Sequence, residues 1–528
     1  MKKVLTLVLT SLMLVSTLAG CTSKPAQNQK VETGKDSSKE HMEISIAHWE
    51  IEKALAGRDS DKVLQKLEKD LNITIKPVNT TWDDYSQKIQ LWSTSKQLPD
   101  LFSIDAIGTS NYHNWIKKGI VKALPTDLSK YPKLKEYLNV SDIEALKEDG
   151  KLYNIPRKTW DSPEYNALDR LVVYRWDLAQ AAGITKEPTT WEEFQAMLKA
   201  IKEKDPEKKN IAGLSVINPT LFDGLFFTYS LPAAMSDGSG SDYKWIEKDG
   251  KYVPTYFAND PLPTFKLARD MYTKGLIDPD VANAKTNISY DKFRQGQISA
   301  LVMSGSISKI NGELASKWKD LYPNKKFEDS VKILAPLPAV DGNKYYSMFK
   351  TYWSELYING SVSDAKRDRI MQMIEYFLSD EYTTMLRFGI EGEDYTKENG
   401  QIVRKPDVNL GKKYPFTGVN GFIEWDQGTT EFKQPTIYPA TKKMGEDYMK
   451  IIKTECKAPK VDMRLTYMST PLKDKFVIKP ADDLLQIMMG KDPVEKMWGD
   501  IYNKYKSNGL DKMVDEVNAE AKKLGYIK

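Results

Sequence analysis

Two periods of apolar residues alternate along the chain after residue 42. Short apolar runs at 44–47, 73–75 and 101–104 predict strands. Between them, apolar residues recur three and four positions apart, as on one face of a helix. The first such stripe consists of Val63, Leu64, Leu67 and Leu71. Because strands and helices alternate, we predict an α/β protein with a parallel sheet covered by helices.

The same alternation continues later in the chain, with recognisable helix ends. A strand at 171–174 is followed by a helix from Trp176 to Ala182, which Gly183 terminates. Ser60 is the predicted N-cap of the first helix, and Thr190 with Glu193 has the spacing of a capping box. Two further apolar stripes at 494–505 and 510–524 predict a helical C-terminus.

The first 20 residues have a different pattern, in which Lys2 and Lys3 precede an uncharged apolar run. This arrangement is typical of a secretory signal peptide and is too short to span a bilayer comfortably. The run ends in Leu-Ala-Gly-Cys, which resembles the lipobox of bacterial lipoproteins. The resemblance implies that residues 1–20 are removed and that Cys21 is acylated. Residues 21–41 contain one valine and no aromatic residue, so we expect a flexible tether.

Composition excludes several classes of function. A net charge of +4, spread along the chain, argues against nucleic-acid binding. The three histidines are not paired at metal-ligand spacing, and one cysteine besides Cys21 cannot form an internal disulfide. The loop Asp205–Gly213 contains two lysines and lacks a central glycine, so we expect no calcium there. We therefore predict no metal and no cofactor.

Several segments, in order, resemble the extracellular solute-binding proteins of ABC importers, in the group that includes maltose-binding proteins. They are Gln97–Phe102, Asp149–Pro156, Leu171–Gly183, Thr189–Phe194, Phe293–Ala300, Leu337–Gly342 and Gly389–Tyr395. The last two are similar to the large Gram-positive lipoprotein branch. The resemblance implies a two-lobed, periplasmic-binding-protein-like (type II) fold with the ligand in the cleft between the lobes and closure by a hinge.

The resemblance also implies a division of the chain between the lobes. We expect lobe 1 at 42–168, with about 290–345 returning to it, and lobe 2 at 169–289, with about 346–528 largely in it.

Aromatic residues provide the candidate binding chemistry, since the chain has 12 Trp and 28 Tyr. Sugar rings have apolar faces that lie flat on aromatic rings, while their hydroxyls need polar partners. In open α/β sheets the loops after strands face the ligand crevice. The candidate ligand residues in such loops, or near the expected late crossing, are Trp49, Glu50, Asp105, Trp160, Asp161, Ser304, Tyr352, Trp353, Glu391 and Tyr395.

These observations favour a monomeric, membrane-tethered receptor that captures an oligosaccharide for the transmembrane subunits of an ABC permease. One alternative is a receptor of the same fold for a peptide or another small organic solute. A second alternative, from a different class, is a surface polysaccharide lyase or hydrolase. With 73 acidic residues, the sequence alone does not exclude a pair of catalytic carboxylates.

Overall fold

The structure is a computed structural model of the chain. It describes residues 40–527, except for 50, 82–83, 108, 140–142, 144–145, 235–242, 349, 399–400, 406–407, 424–431, 433 and 435. The predicted signal peptide, Cys21, most of the predicted tether and Glu50 therefore lie outside the described residues. In the part that is described, no helix combines the length and the apolar character needed to cross a membrane.

The described strands form two main sheets and three two-stranded pairs. The strands are β1 (Met42–Ala47), β2 (Ile73–Pro77), β3 (Leu101–Ile104), β4 (Ile155–Lys158), β5 (Arg170–Arg175), β6 (Ala212–Val216), β7 (Trp245–Lys248), β8 (Lys251–Pro254), β9 (Ile298–Ser304), β10 (Val331–Ile333), β11 (Lys344–Tyr345), β12 (Tyr352–Ile358), β13 (Tyr395–Glu398), β14 (Gln401–Arg404) and β15 (Cys456–Lys457). The first sheet has the order β2-β1-β3-β12-β4, and the second has the order β10-β5-β9-β6.

Helices cover both faces of each main sheet. They are α1 (Ile51–Leu55), α2 (Lys62–Leu71), α3 (Tyr85–Ser95), α4 (Ser110–Lys117), α5 (Pro132–Tyr137), α6 (Trp176–Ala181), α7 (Trp191–Lys204), α8 (Asp223–Ser230), α9 (Thr255–Ala258), α10 (Leu262–Thr273), α11 (Thr286–Arg294), α12 (Ile307–Lys309), α13 (Ser316–Leu321), α14 (Phe327–Ser330), α15 (Asp364–Phe377), α16 (Asp380–Phe388), α17 (Leu410–Lys413), α18 (Pro439–Glu455), α19 (Met463–Tyr467), α20 (Pro480–Met489), α21 (Val494–Ser507) and α22 (Leu510–Lys523).

Strand alternation divides the core of the first sheet into two clusters. Leu101, Leu356 and Ile358 pack on one face with residues of α2, α5 and α15. Phe102 and Tyr357 point to the other face, where they pack with residues of α3 and α4. The second sheet is sandwiched in the same way, which confirms the predicted α/β class with two lobes.

The parallel pairing of β1 with β2 and β3 confirms the predicted order at the start of the first lobe. The capping box of α7 is also confirmed, because the Thr190 side chain accepts a hydrogen bond from the Glu193 amide. The N-cap of α2 is Asp61 rather than Ser60, since the Asp61 carboxylate accepts hydrogen bonds from the amides of Val63 and Leu64. Asp61 also accepts from the Phe416 amide, which joins the N-terminus of α2 to the segment after α17.

The predicted crossings between the lobes are wrong. Strands β9 and β10 pair with β5 in the second sheet, so the segment 290–345 does not return to the first lobe. Instead, β12 inserts between β3 and β4 of the first sheet. Buried residues between 356 and 423 then pack in the first lobe, and most of those between 437 and 521 pack in the second.

The loop 205–213 is closed by its own side chains. The Asp205 carboxylate accepts hydrogen bonds from the amides of Lys209 and Asn210 at 3.0 Å. The Lys209 ammonium lies 2.7 Å from Glu207 and also donates to the Gln295 carbonyl oxygen at 2.6 Å. In the described residues, no three or more His, Cys, Asp or Glu side chains are grouped so as to hold a metal ion.

Chelation tests the calcium prediction for this loop. Because an ammonium already lies beside its carboxylates, excess EDTA should leave the melting temperature of the protein unchanged. Differential scanning fluorimetry with and without EDTA, followed by added calcium, measures this directly. A chelator-induced drop that calcium reverses would contradict the prediction, since a bound ion stabilises the native state.

Candidate functional site

The ends of four strands meet at one edge of the first sheet. Trp49 follows β1 and Asp105 follows β3, so both lie at the carboxyl ends of parallel strands. Strand β12 runs antiparallel to β3 and to β4, which brings its first residues and the last residues of β4 to the same edge. Ligands bind at such edges in open α/β sheets.

At this edge three aromatic side chains and one arginine pack together. This group, here called the Trp49 cluster, consists of Trp49, Tyr85, Arg157 and Trp353. The Trp49 ring centroid lies 5.1 Å from that of Tyr85 and 5.5 Å from that of Trp353. The Arg157 guanidinium carbon lies 4.7 Å from the Trp49 centroid and 5.6 Å from the Trp353 centroid. The faces of both indoles therefore contribute to holding the cation.

The cluster is supported from below by buried residues. His48 stacks on Trp49 with centroids 4.4 Å apart, and its Nδ1 lies 2.7 Å from the Ser103 hydroxyl. Burial, with a smaller contribution from Arg157, lowers the pKa of His48 well below its usual value, so the ring is neutral. Arg157 itself is fully buried and donates to the Ser354 hydroxyl at 2.6 Å.

A bulge in β12 sets the directions of the next side chains. The pairing of β12 with β4 shifts register between Tyr352 and Glu355, and Ser354 has a positive φ of 57°. A bulge locally bends the strand and reorients the side chains on either side. Trp353 is half-buried in the Trp49 cluster, whereas Tyr352 is buried and its ring centroid lies 6.3 Å from that of Tyr467 in α19.

Charged side chains lie at the same edge. The Lys350 ammonium is 3.1 Å from the Asp105 carboxylate, which is about one quarter exposed. Glu355 is fully buried and accepts hydrogen bonds from the Ala106 amide at 3.0 Å and the Tyr357 hydroxyl at 2.9 Å. Burial, and next the nearby Asp105, raises the pKa of Glu355 to about 8.

Four candidates from the sequence meet at this edge, and three others, Glu391, Tyr395 and Ser304, lie elsewhere. Trp49, Asp105, Tyr352 and Trp353 belong to the edge just described. Glu391 forms an ion pair with Lys397 at 2.8 Å and lies 3.5 Å from the Tyr395 hydroxyl. Tyr395 begins the β13–β14 hairpin and is buried beside Phe388. Ser304 ends β9 in the second sheet, opposite Arg170.

Trp160 is placed in the core of the second lobe rather than on an open surface. It is 3% exposed and packs in the cluster that contains Leu171 and Met303. Its amide donates to the Thr351 carbonyl oxygen at 2.9 Å, which anchors the chain beside β12. Asp161 forms an ion pair with Lys158 at 3.1 Å. The prediction that the Trp160 ring is available to a ligand is therefore not supported by its burial.

The sequence reasoning missed four contributors to the edge: Tyr85, Arg157, Lys350 and Tyr467. Tyr85 is on the first turn of α3 and Arg157 follows the hairpin before β4. Nothing in the local sequence distinguishes Tyr85 from other helical aromatic residues, and a single arginine in a short strand carries no sign that it will be buried. The hairpin resemblance at 149–156 ended one residue before Arg157 and was the nearest available signal.

Residues of both lobes line a groove of about 300 Å³ next to this edge. The first lobe contributes Ile107, Tyr112, His113 and Leu146–Asp149, and the second contributes Arg464, Tyr467–Ser469, Glu520, Leu524 and Tyr526. The edge of the first sheet therefore borders a space between the lobes.

Comparison with known protein families shows which family the chain belongs to. The model of the bacterial extracellular solute-binding proteins matches residues 54–384, well over half of the chain. The chain belongs to this family, as the ordered sequence motifs indicated.

Individual relatives agree with this assignment. The polygalacturonan/rhamnogalacturonan-binding protein YtcQ of Bacillus subtilis (strain 168) is 21% identical over 84% of this chain and 85% of its own length. The solved structure of the alginate-binding protein AlgQ2 without calcium ion aligns with a TM-score of 0.65 at 18% identity, over 92% of this chain and 98% of that one. The Streptococcus pneumoniae substrate-binding protein FusA in complex with kestose also gives 0.65, at 17% identity, over 92% and 100%. The two structures confirm the predicted two-lobed fold.

The placement of Trp160 leads to a prediction about stability. Replacing a buried tryptophan by alanine typically costs about 3–5 kcal/mol. Trp160→Ala should therefore lower the free energy of unfolding by an amount in this range, measured by urea denaturation. Trp160→Phe, which keeps an aromatic ring in the cluster, is the matched control and should lose less. Normal stability of the alanine variant would return Trp160 to the list of ligand contacts.

Proposed function

We propose that this member of the solute-binding family captures an extracellular oligosaccharide and delivers it to an ABC permease. The observation that carries the proposal is the Trp49 cluster at the ligand edge of the first sheet. Indole and phenol rings there lie within reach of a buried guanidinium and an ion-paired carboxylate. Aromatic faces for the C–H surface of a sugar, with charged partners for its hydroxyls, are what carbohydrate recognition requires.

Trp353 is the proposed stacking residue. It is half-buried, in contrast to Trp49, of which 9% is exposed, and Tyr352, of which 2% is exposed. A partly exposed indole supported on one side by another ring gives a rigid apolar surface at small conformational cost. Asp105, at the end of β3, is the proposed hydrogen-bond acceptor for sugar hydroxyls.

The second wall of the cleft is proposed from the equivalent edge of the second sheet. Ser304 ends β9, and β6 runs parallel to β9, so both strands present their carboxyl ends there. Asp161 lies between the two sheets in sequence and is one third exposed. We retain these two residues as ligand contacts. Glu391 and Tyr395 are omitted, because Glu391 pairs with Lys397 and Tyr395 is buried beside Phe388.

Binding without turnover is the proposed mode of action. A glycosidase needs one carboxyl group on each side of the scissile bond, and both must reach the substrate. At the proposed site Glu355 is sealed from solvent and Asp105 is paired with Lys350. The relatives named above are described as binding proteins. The absence of released sugar after long incubation with a bound oligosaccharide would support a receptor, and its appearance would favour the hydrolase alternative.

The ligand class is tested with a thermal-shift screen of neutral and uronate oligosaccharides. YtcQ and AlgQ2 are named for acidic polysaccharides, and FusA was solved with the neutral kestose. A ligand present at 100 times its Kd stabilises the native state by about 2.7 kcal/mol, which gives a measurable shift. Stabilisation by peptides alone would contradict the proposal.

Replacing Trp353 by alanine should weaken ligand binding with little effect on folding. Loss of an aromatic hot spot typically costs about 2 kcal/mol, or roughly 30-fold in Kd. Isothermal titration calorimetry with the best oligosaccharide of the screen measures this change.

The matched control is Trp498→Ala, which removes another partly buried tryptophan, on α21 in the second lobe. It should leave Kd unchanged. Equal Kd values for wild type and Trp353→Ala would remove Trp353 from the proposed site.

Anchoring at the membrane is proposed from the sequence of residues 1–21. Once the signal peptide is removed, an acylated Cys21 would hold the protein outside the cell on several acyl chains, which gives stable attachment. Cys21→Ala should therefore move the protein from the membrane fraction to the medium, as measured by immunoblotting of both fractions. Cys456→Ala, which changes the other cysteine, is the control and should leave the protein in the membrane fraction. Retention of the Cys21 variant would contradict lipid anchoring.

A further inference from the structure

Glu355 is a fully buried carboxyl group whose two oxygens have different surroundings. Oε2 accepts hydrogen bonds from the Ala106 amide and the Tyr357 hydroxyl. Among the described residues, Oε1 has no hydrogen-bond partner, although it is sealed from solvent. A carboxylate ion in this position would bury a charged oxygen without a donor, which is costly. A neutral acid avoids much of this cost, with its proton on Oε1.

The groups around Glu355 come from six different places in the first lobe. They are Asp105 after β3, Lys350 before β12, Arg157 on β4, Tyr357 on β12 itself, Tyr85 on α3 and Tyr112 on α4. Burial and Asp105 favour the neutral acid, whereas Lys350 and the two hydrogen bonds to Oε2 favour the ion. The balance places the pKa at about 8.

The Lys350 ammonium, whose charge acts on Glu355, also pairs at the exposed edge of the site. Lys350 is 6% exposed and pairs with Asp105, whose carboxylate faces the edge. While Glu355 is neutral, the Lys350 ammonium pairs with the Asp105 carboxylate without competition from a charged Glu355. An additional buried anion would compete for the same ammonium and weaken its hold on Asp105, because opposite charges attract strongly where water is excluded.

We propose that Glu355 is a positioning residue whose neutral form holds Lys350 on Asp105 in the ligand-binding arrangement, so that oligosaccharide affinity falls under weakly alkaline conditions. This inference rests on the proposed function, since Asp105 is a ligand contact only if the edge binds sugar. Because the coupling is reciprocal, a bound oligosaccharide favours the protonated form of Glu355.

The ligand test compares the purified full-length wild type with Glu355→Gln, a neutral variant of nearly the same shape. Kestose and trigalacturonate are the probes, titrated by calorimetry at pH 6.5, 7.5, 8 and 9. If binding requires the proton, the wild-type Kd rises about tenfold for each pH unit above the pKa. The glutamine variant should keep a Kd near the neutral-pH wild-type value at all four pH values.

The matched control is Glu203→Gln, at an exposed glutamate of α7 that is paired with Lys199. It should behave as wild type. A wild-type Kd that does not change with pH, or the same change in Glu355→Gln, would overturn the proposal.

A measurement without ligand separates this inference from the proposed function. The pKa of Glu355 is raised from about 4.5 in the unfolded chain, so the unfolded state loses its proton first as the pH rises. The stability contributed by the neutral acid is full below about pH 4.5 and is lost by about pH 8. Between pH 4.5 and pH 8, the melting temperature of wild type should therefore fall relative to that of Glu355→Gln. Above pH 8 the difference between the two melting temperatures should stay constant.

The two experiments give distinguishable failures. A melting difference that does not depend on pH would overturn the assignment of a neutral Glu355, whatever the ligand data show. If the expected melting difference is seen but neither probe binds at any pH, the positioning role and these two sugar classes are both refuted. The buried proton would then be a structural feature.

Discussion

Strand β12 forms hydrogen bonds with a neighbour on each side, and the ligand edge of the first sheet depends on this pairing. It runs antiparallel to both β3 and β4, although about 250 residues separate it from β3 in the chain and about 190 separate it from β4. Its register brings Glu355 opposite Ile104 and opposite Pro156. Trp353, Glu355 and the preceding Lys350 therefore reach the end of β3, where Asp105 and Ala106 lie. No local preference of these residues would bring them together.

Each lobe contains a buried arginine, and the two guanidinium groups are stabilised in different ways. Arg157 lies against two indole faces and donates to a serine hydroxyl. A second buried arginine, Arg175, is held on Trp318 and Tyr322 and also pairs with Asp177 through two hydrogen bonds. Arg175 forms an ion pair with Asp177 inside the second lobe, whereas Arg157 lies beside residues that a ligand would contact. The same π-stacked arrangement thus serves a structural position in one lobe and a candidate ligand position in the other.

The sequence predicted the parts of this fold that local pattern determines. The strands β1 to β3, the capping box of α7 and the positions of Trp49 and Asp105 at strand ends follow from periodicity and from the rule for open sheets. The crossings do not follow, because β9 is an almost wholly buried strand that would suit the middle of either sheet. Trp160 illustrates a related limit. It stands in an irregular segment without periodicity, so nothing local distinguishes a core tryptophan from one in a cleft.

Helix α19 shows how the two lobes are joined beside the ligand edge. Leu465 is fully buried in the core cluster of the second lobe, while Tyr467 packs with residues of the first lobe. Two positions along a helix differ by about 200°, so these side chains point in nearly opposite directions. The Tyr467 ring lies 6.3 Å from that of Tyr352, at the start of β12.

Any hinge motion of the two lobes would either carry α19 with one lobe or separate it from one of the two clusters. Each of these contacts is apolar and buried, so neither separates without exposing apolar surface to water. The position of α19 thus couples the distance between the lobes to the start of β12, which carries Trp353 and follows Lys350. A ligand that contacts both walls of the cleft would act on the same strand that orders the first wall.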